Sequence, residues 1–195
     1  MRLRKAVPLA AAMLLLSSCI AMVKMEAGPV TVKDAMSVTS DGRWNRLDLP
    51  ALSGGSSEIW TSDGLSLDVL TFHVGIKDAD PLAPAPMGSK RVPPVFRASM
   101  VANEIVELYE ATATQDGSTF KLERLAPVQF AGASGFRFEF SMTRKRDGVA
   151  LRGFAHGAVI KGKLYLIAFR APRLHYFAKH LPRVETTMRS ALVKS

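Results

Sequence analysis

Phe136, Phe138, Phe140 and Met142 alternate with Arg137, Glu139, Ser141 and Thr143. An apolar residue at every second position predicts a strand with one buried face. Arg144-Lys-Arg-Asp-Gly148 then turns the chain, and Val149 to Ile160 returns. Lys161-Gly162 turns it again, and Lys163 to Phe169 returns once more. The pattern is an antiparallel meander of three strands. Phe120 to Leu125 opens this half, and Gly132 and Gly135 mark a turn before the meander.

The first half carries shorter strand signals at Met36–Thr39, Trp44–Leu47 and Glu58–Thr61. The last precedes Asp63-Gly64, a two-residue hairpin signal, and the apolar run Leu65–Val74. Leu65, Leu67 and Val69 fall on one face of that run, and Leu70, Phe72 and Val74 on the other. Two apolar faces predict a central strand covered on both sides. Lys77 to Pro94 holds five prolines and reads as a surface loop. Pro94 is placed to open a helix in which Met100, Val101, Ile105, Leu108 and Tyr109 form an apolar stripe ending near Gly117. Pro172 starts a short helical turn through Tyr176 and Phe177. Pro182 starts a last helix with Val184, Met188 and Leu192 inward. Strands, helix, strands, helix predict an α+β fold, an antiparallel sheet with packed helices.

The N-terminus follows another pattern. Arg2, Arg4 and Lys5 precede an apolar run, Val7 to Leu16, broken only by Pro8. The run is about ten residues, half the roughly 20 a spanning helix needs, and its charge flank is that of a secretory signal. The chain's one cysteine, Cys19, ends this segment as Leu16-Ser17-Ser18-Cys19. That tetrapeptide resembles the lipobox of bacterial lipoproteins. The resemblance implies cleavage of residues 1–18, acylation of Cys19, and a lipidated tether over 19–29 before one domain at 30–195. It also implies a lipid-anchored, periplasm-facing location in the bacterial cell envelope. Ile20 in place of aspartate favours the outer membrane over the inner.

Residues 1–18 hold three basic residues and no acidic ones, so the remaining 177 carry 23 basic against 17 acidic, a net charge of +6. Beside a membrane such a surplus suits anionic lipid or lipopolysaccharide headgroups, or an acidic envelope protein. No nucleic-acid-binding motif is present, and export argues against such a partner. The candidate basic edge is Arg144, Lys145, Arg146, Lys161 and Lys163. The two turns that carry it lie at opposite ends of one strand.

A second resemblance spans residues 36–193. The segments VQFAGASGFRFEFSM, GVALRGFAHGAVIKGKLYLIAFRAP and YFAKHLPRVETTMRSAL look like the PsbP-like fold, which includes DcrB-like lipoproteins. The resemblance implies an accessory or binding protein and brings no catalytic motif or cofactor. Fold alone does not fix function.

The residues offer little chemistry of their own. His175 and His180 are five apart, about 140° around a helix, whereas a helical zinc pair wants four. His73 and His156 sit on separate strands. No Gly-x-Ser-x-Gly elbow is present, and Ser134 belongs to a turn-like segment. Asp63, Asp68, Asp78 and Asp80 are the candidate acids, and Asp68, inside an apolar run, is expected to pair with an arginine. The sequence therefore predicts no enzyme, no cofactor and no metal. The competing reading is an envelope hydrolase or metal-dependent enzyme built on Asp68, His73 or His156. Trp44, Trp60, Arg137, Tyr165, Arg170 and Tyr176 form a groove for an acidic or aromatic partner if they share a face. Otherwise the tryptophans are core and the arginines lie on a solvated face.

Overall fold

A computed structural model of the chain describes residues 22–47, 55–85 and 92–194. The expected signal segment, Cys19 and residues 86–91 of the proline-rich segment lie outside them. The chain is mostly antiparallel sheet, with two helices among the described residues. This is more β than the expected α+β balance.

The strands are β1 (Met22–Lys24), β2 (Ala27–Val32), β3 (Met36–Asp41), β4 (Asn45–Leu47), β5 (Ser57–Thr61) and β6 (Val69–Ile76). After helix α1 (Ala102–Ala113) come β7 (Thr119–Phe130), β8 (Ala133–Thr143), β9 (Ala150–Ile160) and β10 (Lys163–Pro172). Helix α2 (Tyr176–Arg189) and the two-residue β11 (Leu192–Val193) follow. One eight-stranded sheet runs β1-β4-β5-β6-β10-β9-β8-β7, and a three-stranded sheet runs β11-β3-β2.

The large sheet separates two apolar clusters. On one face, Leu70, Phe72 and Val74 of β6 and Ile167 and Phe169 of β10 meet α2 and the small sheet, with Trp44 and Trp60. On the other, Phe136, Phe138 and Phe140 of β8 and Leu164 and Leu166 of β10 meet Ile105, Val106, Leu108 and Tyr109 of α1. Strands covered on both sides read as near-continuous apolar runs, as β6 and β10 do.

The meander lies where the alternation predicts it, with Met142 opposite Leu151 and Phe169 opposite Phe154. Several expectations are corrected. Gly135 is inside β8 instead of a turn, and a Cβ there would lie 2.4 Å from the Gly157 carbonyl. The Asp63-Gly64 connection spans seven residues instead of two, so Leu65 and Leu67 are in a loop and β6 begins at Val69. Helix α1 starts eight residues after Pro94, where the Glu104 carboxylate accepts the Val101 N–H at 2.8 Å. The intervening chain is occupied by Phe96, fully buried, whose N–H donates to the Asp80 carbonyl and whose carbonyl accepts from the Ala79 N–H. Pro182 lies inside α2 instead of starting it. The helix runs through it because Phe177, His180, Val184 and Met188 are buried along one stripe, which outweighs one lost backbone bond. Leu192 is exposed in β11 and does not face the core. The expected tether over 19–29 holds β1, paired with β4, and the start of β2, paired with β3.

Candidate functional site

The expected groove does not form. Trp44 and Trp60 are fully buried on the α2 face, and Tyr165 is buried there too. Arg137, on the same face, lies 4.4 Å over the Phe154 ring. It donates to His156 Nε2 at 3.0 Å and to Glu185 of α2 at 3.3 Å, and pairs with Glu139 at 3.3 Å. It clamps α2 to the sheet. Burial and the adjacent Arg137 push the His156 pKa down to about 4, so the imidazole is a neutral acceptor. Tyr176 lies beside His175 and under Lys179. Arg170 points to the other face of the sheet, and therefore cannot join them.

Asp68 has no arginine partner within salt-bridge distance among the described residues. Its carboxylate accepts Thr61 Oγ1 at 3.0 Å and the N–H groups of Ser62 and Asp63, both at 2.7 Å. A buried carboxylate satisfied by three donors closes the β5–β6 loop, a structural task. His180 of α2 reaches the same loop through Asp63 at 2.8 Å, and Lys179 meets that carboxylate at 2.5 Å. Asp63, Asp68 and His180 have the spacing of a three-ligand metal set. Their donor atoms are already committed, with an ammonium at the shared oxygen, so the cluster fits a cation poorly. The expected histidine pair is also separated: His180 is buried and His175 exposed.

The α1 face of the sheet holds a cleft of about 700 Å³. Its floor comes from Ser57 and Ile59 of β5, Thr71 and His73 of β6, and Arg170 of β10. Tyr109, Thr112 and Ala113 of α1, with Gln115 and Asp116 beyond it, form one wall. Leu82 to Ala85 of the proline-rich segment form the other. Leu82 is buried and Pro81 bridges Val95, so the start of this segment is held against the sheet.

Ser57 and His73 sit opposite each other in the β5–β6 ladder, with Oγ 2.9 Å from Nδ1. A serine beside an imidazole invites a nucleophile reading. The environment opposes it. Ser57 donates to the Leu82 carbonyl at 3.0 Å, so its proton is turned away from the ring. Burial, with a contribution from Arg170, pushes the His73 pKa down to about 4, too low for an effective base at neutral pH. His73 and His156 lie on opposite faces of the sheet, and Asp68 caps a loop, so the three acid–base candidates do not meet.

Arg170 is partly buried in the cleft, with no carboxylate within 4.0 Å among the described residues. Tyr109 is buried beside it, and burial holds its hydroxyl above the usual phenol range against the opposing pull of Arg170, whose guanidinium donates to the phenol oxygen. Gln115 Nε2 is shielded from solvent and has no acceptor among the described residues. Arg170 and Asp116 also border a recess of about 180 Å³ that contains Arg144 and Arg146. The expected basic edge is thus partly spent. Arg144 binds Asp147 and the Ser66 carbonyl, each at 2.9 Å, and Arg146 donates to Ser66 Oγ at 2.8 Å. Lys161 and Lys163 lie at the far end of β9, about 35 Å away for eleven extended residues.

The sequence singled out Arg170 and His73 but missed Ser57, Tyr109 and Gln115. A hairpin closed by a two-residue Asp-Gly turn sets Ser57 against Leu70, and only the longer loop brings it to His73.

The sequence matches no family model and no curated protein. Its fold is similar to that of solved structures. The solution structure of cyanobacterial PsbP (CyanoP) from Synechocystis sp. PCC 6803 aligns over 92% of this chain and 99% of that one. Its TM-score is 0.59, with 14% identity. A crystal structure from Bacteroides thetaiotaomicron aligns over 88% of this chain and 50% of that one, with TM-score 0.51 and 8% identity. The Ran-binding protein Mog1p of Saccharomyces cerevisiae aligns over 86% of this chain and 96% of its own, with TM-score 0.46 and 8% identity. The chain therefore has a PsbP-like fold, as the order of its strands and helices suggested.

Proposed function

We propose that this chain is a lipid-anchored accessory protein of the bacterial envelope that binds without covalent chemistry. It holds an envelope component near the membrane, in the cleft between α1 and the large sheet. One observation carries the reading. Among the described residues the cleft gathers an arginine without a carboxylate partner and a neutral tyrosine, while its imidazole is too weak a base to activate the adjacent serine. Such a set recognises a ligand and does not turn one over. The PsbP-like fold supports the reading as a resemblance. Anchorage rests on Leu16-Ser17-Ser18-Cys19 and the apolar run before it.

The test is affinity purification from solubilised envelope with the anchor intact, comparing wild type with Ala83→Trp, which fills the cleft from its rim. A component lost in the variant supports the reading. Equal recovery, or ester turnover abolished by Ser57→Ala, overturns it. Mass spectrometry of the same preparation should show a first peptide at Cys19 with acyl mass. An intact Met1 peptide removes the anchor from the proposal.

A further inference from the structure

The chemistry of the cleft narrows what it holds. Its walls are aliphatic: Ile59, Leu82, Ala83, Pro84, Ala85 and Ala113. Among the described residues its rings are Tyr109, which is buried, and the His73 imidazole, and the tryptophans are on the opposite face of the sheet. The walls therefore give burial without a stacking platform, which suits a saturated chain more than a ring.

The polar lining is mixed: Ser57, Thr71 and Thr112 bring hydroxyls, Asp116 a carboxylate, and Arg170 the one cation among the described residues. Arg170 carries a fixed positive charge and is only partly buried, so its guanidinium is open to the cleft. Tyr109 supplies a neutral hydroxyl beside the guanidinium. A planar guanidinium matches a carboxylate in bidentate fashion. Asp116 stands at the rim, where its Oδ1 accepts the Ser118 N–H at 2.9 Å, so it caps its own turn without forming an ion pair with Arg170. Its negative charge opposes a doubly charged head group more than a singly charged one. His73, neutral at pH 7, adds no second positive charge. The volume, about 700 Å³, falls within the range of small-molecule sites.

We infer that the cleft binds an aliphatic carboxylate, with the head group on Arg170 and the chain between α1 and the Leu82–Ala85 wall. The inference rests on the cleft being the binding site proposed above, and names its ligand class.

The experiment uses the full chain with Cys19→Ser, which removes the protein's own acyl groups, and titrates it with decanoate by calorimetry. Decanol, decyl phosphate and acetate are titrated in parallel. Decanoate is expected to saturate one site, with decanol and acetate each at least tenfold weaker. Arg170→Gln should weaken decanoate at least tenfold while leaving decanol unchanged. Ala83→Trp should abolish binding of both. Thermal unfolding of each variant establishes that it is folded, and Ala83→Trp, at the rim, serves if Arg170→Gln fails to fold. Decanol or acetate binding as tightly as decanoate overturns the inference, as does tighter binding of decyl phosphate. Absence of decanoate binding also overturns it. If Ala83→Trp still loses an envelope component in that case, the binding function stands and only the ligand class falls.

Discussion

Asp63 Oδ2 lies 2.8 Å from Nε2 of His180, across 117 positions of sequence. With Lys179 on the same oxygen, the contact fastens α2 to the loop between β5 and β6. Lys179 and His180 hold the Asp63 carboxyl below the usual carboxylate range. Hydrogen bonds to charged groups contribute about 1.5–3 kcal/mol each. Asp63→Ala should therefore lower stability by about 1–3 kcal/mol in urea denaturation. Asp78→Ala, which removes an exposed pair with Arg97, should cost under about 1 kcal/mol. Equal losses would show that the Asp63 contact contributes no more than a surface pair.

The histidines set an acid limit. His73 and His156 have folded pKa values near 4, below the ordinary histidine value of 6.5. The unfolded chain takes up protons first as pH falls, so stability drops between pH 6.5 and 4. Asp41, Asp63, Glu123 and Asp147 are also held below their ordinary values, by hydrogen bonds from Arg183, Lys179, Ser141 and Arg144 respectively. Their contribution is present above the unfolded carboxylate pKa and is lost only below about pH 4. A melting temperature that falls from pH 6.5 to 4.5, with a shallower slope in His73→Asn, is the expected result. A flat profile over that interval contradicts it.

Helix α1 offers a paired control. Leu108 is buried and Glu107, one position earlier, is exposed. Leu108→Ala should cost about 2–5 kcal/mol and lower the melting temperature, with Glu107→Ala nearly silent. Similar effects from both would place the wrong face of α1 against the sheet.

Gly153 faces Phe140 across the β8–β9 ladder. A Cβ there would lie 2.2 Å from Phe140 Cζ and 2.6 Å from the Phe169 carbonyl. Gly153→Ala should cost about 3 kcal/mol, the upper end for overpacking. Gly148→Ala meets no atom within 4 Å but sits at φ +68°, and should cost about 1 kcal/mol. Guanidinium denaturation of both variants checks the order, and the reverse order would refute the close packing at Gly153.

Long periodic segments were legible and local chemistry was not. The alternation of Phe136, Phe138 and Phe140 placed β8 because one face is buried and the other carries charge. β2 was missed because Gly28 and Pro29 read as tether, yet proline is tolerated on an edge strand, and β2 is the edge of its sheet. Pro94 and Pro182 misled in opposite ways. A proline preset for a helix start does not compel one, and an apolar stripe carries a helix through a proline. Within the site, Arg170 stood out as a charge in an apolar strand. Ser57 and Gln115 did not, since their roles depend on a register shift and on where α1 ends.

The pairing of β1 with β4 bears on how the protein would stand on a membrane under the proposed anchoring. If Cys19 carries the lipid, only Ile20 and Ala21 separate it from Met22, a span of at most about 11 Å. The attachment is then a stub mount instead of a leash. One margin of the large sheet would be held at the lipid surface, and the β7 margin, seven strand spacings or about 34 Å across, would be the part that swings. Lengthening the stub with a flexible insert after Ala21 would free the orientation without touching the cleft.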